Sequence, residues 1–480
     1  MVIDISQTEN ENACCSEKRL LDLLQDNQQN YYELFVFFLD PDVSSFEKEK
    51  KARDFLAKEI DKLEMKEIDF PSDINLIKAW CENDNKKNCQ EFQAYLNRRQ
   101  SGQDREYFKN VAQAFEFLIK VSPTKKVDGA WLYSSVHYWN DPIFHELIIT
   151  YLEELGLGEP KANHVCIYDD LLRSLGLDSF DLLLEDEYYH QAVVQLALGY
   201  APPEFIPEIV GFNLGYEQLP LHLLISNYEL AELGIDSKYF NLHITIDNID
   251  NGHAYKAIKV IEDIYNKYRD KELFLTKLKH GFALNNHGVS SSNIIKNLNT
   301  EDFVHRIFKR KALVGQLIHN ETRQFGCKTI NQWLSNPDDI AGLITHLTDH
   351  KWIKFNTDPE QSVFWRMINE ENGKMFGVFN PVERQIIHDW IAGSDHSSSF
   401  LAYSRELKNS QRIQDYLFSY ISDGELDALQ ERVQQSNDLA IKICKLTPFL
   451  APDSHHKSIG LWSTRKYVEL LFPYLGTFKN

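Results

Sequence analysis

Apolar residues recur at three- and four-residue spacing through most of this chain. The pattern is clear in YYELFVFFLD at 31–40, in FEKEKKARDFLAKEIDKL at 46–63 and in EYFKNVAQAFEFLIKV at 106–121. Such spacing puts the apolar side chains on one face of a helix, where they can pack against other helices. We therefore predict a mainly α-helical protein.

Two polar stretches divide the helical pattern into three regions. NRRQSGQ at 97–103 is a predicted linker, and the serine run at 290–292 is a second predicted boundary. The predicted regions are an N-terminal helical region at 1–104, a core at 105–291 and a C-terminal, mostly helical region at 292–480. Three regions agree with the usual domain size of about 100 to 200 residues.

Composition and charge narrow the classes of function. The 480 residues carry a formal net charge of −20, which disfavours nucleic acid or an anionic membrane surface as the main partner. There is no apolar run of 18 residues, so we expect no membrane span. The N-terminus lacks a basic segment followed by an apolar one, and the seven cysteines form no CxxC pair. We therefore expect a cytoplasmic protein without a zinc ribbon.

The segment YFNLHITIDNIDNGHA at 239–254 is the richest in candidate metal ligands. His243 and Asp247 are four residues apart, and Asp250 and His253 follow. On a helix, residues four apart share one face, so an imidazole and a carboxylate would point to the same place. The alternative interpretation is a solvated helix end that terminates at Asn-Gly.

More acidic and histidine candidates lie upstream. Glu154 and His164 flank a stretch with glycine and proline, which predicts a break between two helices and lets both side chains turn toward one centre. Glu217 lies among apolar residues, where a buried carboxylate is costly unless a charge or a metal compensates it. The alternative is that Glu217 shares a polar helix face with Asn213.

Other common catalytic motifs are absent from the sequence. It contains no GxxxxGKS/T loop, no GxGxxG after a strand, no GxSxG and no HExxH. The remaining constellation combines carboxylates and imidazoles without thiolates. Such mixed oxygen and nitrogen ligands suit non-haem iron or manganese better than copper or structural zinc.

Three separated segments resemble the haem-oxygenase-like diiron oxidases and oxygenases, the iron-containing redox enzyme family. EELGLGEPKANHVCIYDDLL at 153–172 is similar to the family's first ligand segment, GFNLGYE at 211–217 to the second, and YFNLHITIDNIDNGH at 239–253 to the last. They occur in the family's order, and the resemblance covers roughly residues 106–290. It implies a haem-oxygenase-like helical bundle as the core, with helical regions on either side.

The resemblance also implies a chemistry. The expected enzyme is an O2-dependent oxidoreductase with two non-haem irons. Its substrate would be a small molecule such as an amino acid, an amine or a fatty acid. The reaction would be N-oxygenation, desaturation or carbon–carbon cleavage. The ligands that it implies are Glu154, His164, Glu217, His243, Asp247 and His253.

The last ligand departs from the family pattern. In that pattern a histidine follows the aspartate by three residues, but here Asp250 occupies the position and His253 comes three residues later. Either the helix opens near Gly252 and admits His253, or Asp250 is the ligand. We favour His253, because Asn-Gly is a flexible helix breaker.

Several further expectations complete the prediction. Manganese is an alternative metal, and the need for an external electron donor and the formation of a homodimer are left open. A non-catalytic helical protein that binds a ligand or a partner is the alternative function. The residues expected to line the substrate pocket are Trp131, His137, Tyr168, Phe212 and Tyr216.

Overall fold

The computed structural model describes residues 30–66, 68–178, 180, 184–246, 252–315, 324–393 and 424–475. Helices dominate these residues, and the sheet within them is a single antiparallel pair, β1 (Gln324–Phe325) and β2 (Lys328–Thr329). The predicted mainly α-helical class is confirmed. Within the same ranges, no helix has both the length and the apolar character required to cross a membrane.

The α-helices of the first half are α1 (Tyr31–Leu39), α2 (Ser45–Asp61), α3 (Ile77–Gln100), α4 (Val111–Lys125), α5 (His145–Glu154), α6 (His164–Leu175), α7 (His190–Gly199), α8 (Ile206–Tyr216), α9 (Leu221–Glu232) and α10 (Lys238–Ile246). Those of the second half are α11 (His253–Lys267), α12 (Lys271–Asn285), α13 (Ser291–Lys296), α14 (Thr300–Gly315), α15 (Ile330–Leu334), α16 (Ile340–Asp349), α17 (Val363–Asn369), α18 (Pro381–Ala392), α19 (Gly424–Gln434), α20 (Leu439–Leu446) and α21 (Ser458–Leu475). Short 3-10 helices occupy Ile74–Leu76, Ala130–Tyr138, Pro142–Phe144, Gly156–Gly158, Asp186–Tyr189, Pro203–Phe205, Pro337–Asp339, Pro359–Gln361 and Thr447–Leu450.

Two clusters of buried apolar side chains hold the helices together. The first draws on residues 34–81, 127–284 and 429–471, so all three predicted regions contribute to it. The second draws on residues 108–121, 167–240 and 294–391. Because apolar burial is the main favourable term in folding, these clusters fix the positions of the helix ends that carry the acidic and histidine side chains. The region boundaries at 104 and 291 stay a prediction.

Helices α8 and α12 pack unusually closely. A Cβ atom at Gly211 would lie 2.0 Å from the carbonyl oxygen of Leu278, and one at Gly281 would lie 1.9 Å from that of Glu208. Only glycine permits such an approach of two backbones. The contact fixes the end of α8, where Glu217 follows directly as the capping residue.

The turn between α5 and α6 has the break that the sequence predicts. Gly156, Leu157 and Gly158 all have positive φ values, of 62°, 53° and 87°. Asn163 then caps α6, because its side-chain oxygen accepts a hydrogen bond from the backbone N–H of Cys166. The last residue of α5, Glu154, and the first residue of α6, His164, are thereby turned toward each other.

The segment at 239–254, for which a break near Gly252 is the favoured expectation, belongs to two helices in the structure. α10 ends at Ile246 and α11 begins at His253, whose N-cap Gly252 has extended backbone angles. Residues 247–251 lie outside the described part of the chain. The helix therefore opens at Gly252, which lets His253 point in a direction that a continuous helix would not allow.

Candidate metal centre

Four buried side chains form a first cluster of candidate ligands. Asp128, Glu154, His164 and His243 each offer one atom, and these atoms lie within 4.8 Å of one another. His164 Nδ1 is 2.5 Å from Glu154 Oε2 and 3.5 Å from Asp128 Oδ2, and His243 Nε2 is 3.1 Å from the same aspartate oxygen. The group combines two carboxylates with two imidazoles and excludes bulk water.

A second cluster shares one of these residues. Glu154, Glu217 and His253 also bring ligand atoms within 4.8 Å of one another, and all three are buried. His253 Nδ1 is 3.1 Å from Glu217 Oε2 and 3.4 Å from Glu154 Oε1. Glu154 thus directs Oε2 to the first cluster and Oε1 to the second, so the two clusters share this carboxylate.

Outer contacts orient the histidines. His243 Nδ1 donates to the backbone carbonyl of Tyr239 at 2.8 Å, which leaves Nε2 facing Asp128. His253 Nε2 donates to Glu153 Oε2 at 2.9 Å, so that Nδ1 faces the second cluster. A hydrogen bond at one ring nitrogen sets the tautomer, and it is the usual support of a metal-bound imidazole.

Two tyrosines hold the aspartate of the first cluster. Tyr239 Oη donates to Asp128 Oδ2 at 2.5 Å, and Tyr216 Oη donates to Asp128 Oδ1 at 2.9 Å. Burial raises the pKa of Asp128, but the positive charge of Lys125 and the adjacent imidazoles of His164 and His243 outweigh it and hold that pKa well below its usual range. Asp128 is therefore an ionised carboxylate with a fixed orientation.

The contact between Glu154 and His164 fits a bound cation. His164 Nδ1 and Glu154 Oε2 are buried, and among the described residues neither makes a hydrogen bond of acceptable geometry, although they lie 2.5 Å apart. Burial raises the pKa of Glu154, but His164 outweighs it and lowers that pKa to about 2. Burial lowers the pKa of His164, but the Glu154 and Asp128 carboxylates raise it to about 10. The site thus attracts positive charge, and its oxygen and nitrogen donors suit iron or manganese.

The C-terminal region supports the turn that carries Glu154. Asn163 Nδ2 donates to the carbonyl of Leu155 at 3.2 Å and to His455 Nδ1 at 3.1 Å. At Gly158, an added Cβ would lie 2.5 Å from the carbonyl oxygen of Leu461 in α21, so this helix packs directly on the turn. Residues far along the chain thereby hold the first two candidate ligands in place.

Most of the residues proposed as ligands from the sequence come together in the structure. Glu154, His164, Glu217, His243 and His253 lie in the two clusters. Glu217 and Asn213 are both buried, so a polar face that they share does not face solvent. The other two candidates, Asp247 and Asp250, lie outside the described residues.

Asp128 was missed by the sequence reasoning. It follows α4 in the stretch KKVDGAW, where Asp-Gly resembles an ordinary turn. Gly129 has φ of 79°, and a Cβ there would lie 2.8 Å from Glu154 Cβ, so glycine allows this backbone to reach the cluster. The only sequence feature that marks this position is the Asp-Gly pair. The pair identifies Asp128 as a candidate ligand only once the position of Glu154 is known.

The five residues expected to line a pocket have different surroundings. Trp131 Nε1 donates to Asn213 Oδ1 at 2.9 Å, and the Trp131 ring lies 4.3 Å from that of Tyr216 and 5.7 Å from that of Phe212. Trp131 and Phe212 are buried, whereas Tyr216, which donates to Asp128, is half-buried. Tyr168 packs 4.9 Å from the Tyr239 ring. By contrast, His137 is exposed on the 3-10 helix Ala130–Tyr138, next to Tyr133.

A cavity of about 490 Å³ adjoins the first cluster. Tyr216 is the one of the five expected pocket residues that lines it, and His243 and Lys125 line it beside Tyr216. A cavity of this size can hold a small organic molecule. The cavity therefore offers a place for a substrate directly beside a candidate metal ligand.

A third group of histidine and acidic side chains lies elsewhere. Glu59 Oε2 accepts from His190 Nε2 at 2.8 Å and from His287 Nε2 at 3.1 Å, and Lys62 Nζ lies 2.6 Å from Glu59 Oε1. Burial raises the pKa of Glu59, but these three partners outweigh it and keep it low. The carboxylate already has a cation and two donors, so we assign this group to the attachment of α2 to α7.

Comparison with family models matches residues 115–285 to the family described as iron-containing redox enzyme. Comparisons with curated proteins and with solved structures found no match. The matched segment contains both clusters in full, since they extend from Asp128 to His253. The resemblance inferred from the three ligand segments is confirmed, with its helical, haem-oxygenase-like fold and with iron as the expected metal. Over residues 115–285, the chain is therefore similar to the iron-containing redox enzyme family.

Proposed function

We propose that this protein is a non-haem diiron enzyme that uses O2 to oxidise a small molecule. The observation that carries the proposal is the shared position of Glu154, whose two oxygens face two separate groups of donors. A carboxylate in this position would offer one donor oxygen to each of two metal ions. Two bound irons would supply the redox chemistry, the activation of O2 and the oxidation of the substrate.

Each ion would have its own set of donors. Those of the first ion are Asp128, Glu154 Oε2, His164 Nδ1 and His243 Nε2. Those of the second are Glu154 Oε1, Glu217 and His253 Nδ1. Haem iron takes at most two axial ligands from the protein. Three carboxylates and three imidazoles from different parts of the chain therefore support bare iron ions rather than haem.

The remaining residues orient the donors and exclude water. The Tyr239 carbonyl accepts a hydrogen bond from one nitrogen of His243, and Glu153 accepts one from His253. In each histidine the other ring nitrogen faces its cluster. Tyr216 and Tyr239 fix both oxygens of Asp128. Fixed donors in a dry site need little rearrangement when a metal binds. The cavity beside His243 would hold the substrate.

Site-resolved metal counting tests the proposal. The protein is reconstituted with Fe(II) without oxygen, its iron is counted, and its visible spectrum is followed after O2 is admitted. We expect about two irons per chain and a transient visible band. His243→Ala and His253→Ala should each retain about one iron, because each removes a donor of one ion, whereas Glu154→Gln should retain less than either.

A matched control excludes a general effect of removing a buried histidine. His388 is buried in α18 beside Asp389 and outside both clusters, so His388→Ala should keep two irons and the visible band. Wild-type protein that binds no iron would overturn the proposal and leave the non-catalytic helical binding protein. The two-iron centre would be excluded if wild type bound one iron and the iron content stayed the same in Glu217→Gln and His253→Ala.

A further inference from the structure

Gln195 is a fully buried polar side chain close to the first cluster. It lies within α7 and has no exposed surface. In the part of the chain that the structure describes, neither its amide nitrogen nor its amide oxygen makes a hydrogen bond of acceptable geometry. A buried amide without partners is costly, because it has lost its hydrogen bonds to solvent. In native proteins such a group usually has an ordered water as its partner.

The face of α7 that carries Gln195 extends from the cavity to the segment that holds Asp128. One turn before Gln195, Gln191 lines the cavity. One turn after it, Gly199 packs so closely on the chain beyond Asp128 that an added Cβ would lie 2.1 Å from the carbonyl oxygen of Ala130. Residues four apart share one face of a helix. Gln195 therefore lies between the cavity and the segment next to the first cluster.

Tyr216 is a polar neighbour of Gln195. Burial and the Asp128 carboxylate raise the pKa of Tyr216 well above its usual range, whereas the amide of Gln195 lowers it, so the amide lies near the hydroxyl. The two groups nevertheless lack the geometry of a direct hydrogen bond. Water commonly bridges two polar groups that are near each other but not in direct contact.

The Tyr216 hydroxyl can make one more hydrogen bond. Its oxygen accepts from Lys125 Nζ at 3.0 Å, and its proton is donated to Asp128 Oδ1 at 2.9 Å. A hydroxyl has one donor and two acceptor positions, so these two bonds leave one acceptor position. A water that accepts from the amide N–H of Gln195 can donate to this position.

A second buried polar group without a hydrogen bond lies on the neighbouring helix. Ser122 has no exposed surface, and among the described residues its Oγ has no partner. Ser122 lies three residues before Lys125 on α4, so both occupy one face of that helix, and α4 packs against α7. One small polar ligand between the two helices accounts for both Ser122 and Gln195.

We propose that a buried water bridges Gln195 and Tyr216 Oη, with Ser122 Oγ as its third partner. The water accepts from Gln195 Nε2 and from Ser122 Oγ, and it donates to Tyr216 Oη. Three hydrogen bonds are the usual number for a buried water. Gln195 is not among the residues that line the 490 Å³ cavity, so the space beside it suits a water rather than an organic molecule.

The bridge makes Gln195 a positioning residue for the first cluster. When Lys125 and the water both donate to the Tyr216 oxygen, the hydroxyl proton is directed to Asp128 Oδ1. The orientation of the Asp128 carboxylate then depends on a residue that does not contact it. This positioning role rests on the proposed function, because it concerns a metal ligand, whereas the water site does not.

High-resolution crystal structures and thermal unfolding of the metal-free protein test the water site. Wild type should show a water within hydrogen-bond distance of both Gln195 and Tyr216 Oη. Gln195→Met, which keeps a similar shape without the amide, should lack this water. Its melting temperature should be lower than that of wild type, because it loses satisfied hydrogen bonds. Removal of an amide that had no partner would raise the melting temperature instead.

Gln385→Met is the matched control, because Gln385 is buried in α18 and its amide donates to Asp389 at 2.9 Å, outside both clusters. It should lower the melting temperature and keep the water at Gln195. Wild-type electron density without this water, or with a direct hydrogen bond between Gln195 and Tyr216, would overturn the water site. So would a Gln195→Met variant that is more stable than wild type.

Anaerobic titration with Fe(II) tests the positioning role. Gln195→Met should weaken iron binding at the first position by about tenfold, as the loss of an outer partner does, and leave the second position unchanged. Because Gln195 acts through Tyr216, the double variant of Gln195→Met and Tyr216→Phe should bind iron as Tyr216→Phe alone does. Equal iron affinity in Gln195→Met and wild type, or additive losses in the double variant, would overturn this role.

The two measurements separate the inference from the proposed function. If wild type bound no iron, the diiron proposal would fail, and the crystal structures and melting temperatures would still decide the water site. If wild type bound two irons but held no water at Gln195, only the inference would fail.

Discussion

Glu153 Oε2 lies 2.9 Å from Nε2 of His253, on the opposite side of the imidazole from the nitrogen that faces Glu217. Burial raises the pKa of Glu153, but His253 and Lys256 outweigh it and lower that pKa, so the carboxylate is ionised. It thereby holds the proton of His253 on Nε2 and presents Nδ1 to the second cluster.

Glu153→Gln should weaken iron binding at the second position by about 10- to 100-fold, the usual effect of losing an outer partner of a metal-bound histidine. The measurement is anaerobic titration with Fe(II), read as two separate affinities. Glu146→Gln is the control, because Glu146 lies on the same helix and pairs with Lys259 at 2.6 Å near the surface. Equal loss in both variants would mean that Glu153 acts only through the stability of α5.

Gly129→Ala should destabilise the protein and lower its iron content. The residue has φ of 79°, and the new Cβ would lie 2.8 Å from Glu154 Cβ, so the change strains the backbone and displaces the Glu154 carboxylate that both clusters share. Gly234→Ala is the control, because φ is 77° there and nothing lies within 4 Å of the added Cβ. We expect both to lose about 1 kcal/mol or more of unfolding free energy from the strained φ. Only Gly129→Ala should bind less iron, as measured by metal counting.

The pH dependence of the metal-free protein should reveal the charge on His164. Its pKa is raised from 6.5 to about 10, by the carboxylates of Glu154 and Asp128 against the opposing effect of burial. Because the pKa of His164 is higher in the folded than in the unfolded state, protonated His164 stabilises the folded protein. This contribution is complete below about pH 6.5 and is lost as the pH rises toward 10. The melting temperature of wild type should therefore fall over this interval more steeply than that of His164→Gln. Parallel pH profiles of the two proteins would contradict this assignment.

The part of the site that was predictable from sequence depends on local signals. The glycines of the turn after Glu154 and the Asn-Gly before His253 indicate backbone breaks, and each break places a ligand candidate at a helix start. The hydrophobic setting of Glu217 indicated burial in the same way. Each of these features is encoded within about ten neighbouring residues, so periodicity and turn residues suffice to find it.

The rest depends on contacts between distant parts of the chain. Asp128 reaches the cluster because Tyr216 and Tyr239, from two other helices, hold its oxygens. His455 reaches Asn163 across 292 positions of sequence. Such contacts leave no periodic or spacing signal, so they appear only when the helices are packed together.

Gly281→Ala should cost about 1 to 3 kcal/mol of unfolding free energy, because its Cβ would lie 1.9 Å from the carbonyl oxygen of Glu208 and would force α8 and α12 apart. Gly215→Ala, on α8 of the same helix pair, meets only side-chain atoms at 3.2 Å or more, so the better helix propensity of alanine should keep its change below about 1 kcal/mol. Denaturant unfolding of both variants measures the difference. Similar changes in the two would mean that the helices can separate without loss.

Tyr239→Phe should weaken iron binding at the first position, because Asp128 loses the hydroxyl donor that orients Oδ2 toward His243 and His164. The expected loss of affinity is about 10- to 100-fold. Tyr168→Phe provides the control, since Tyr168 is equally buried and packs 4.9 Å from the Tyr239 ring, but its hydroxyl donates to the backbone carbonyl of Leu118. It should lower the unfolding free energy by about 1 kcal/mol and leave the iron affinity unchanged. Because both changes remove one buried hydroxyl, a loss of affinity confined to Tyr239→Phe would show that the hydrogen bond to Asp128, rather than packing, governs the metal site.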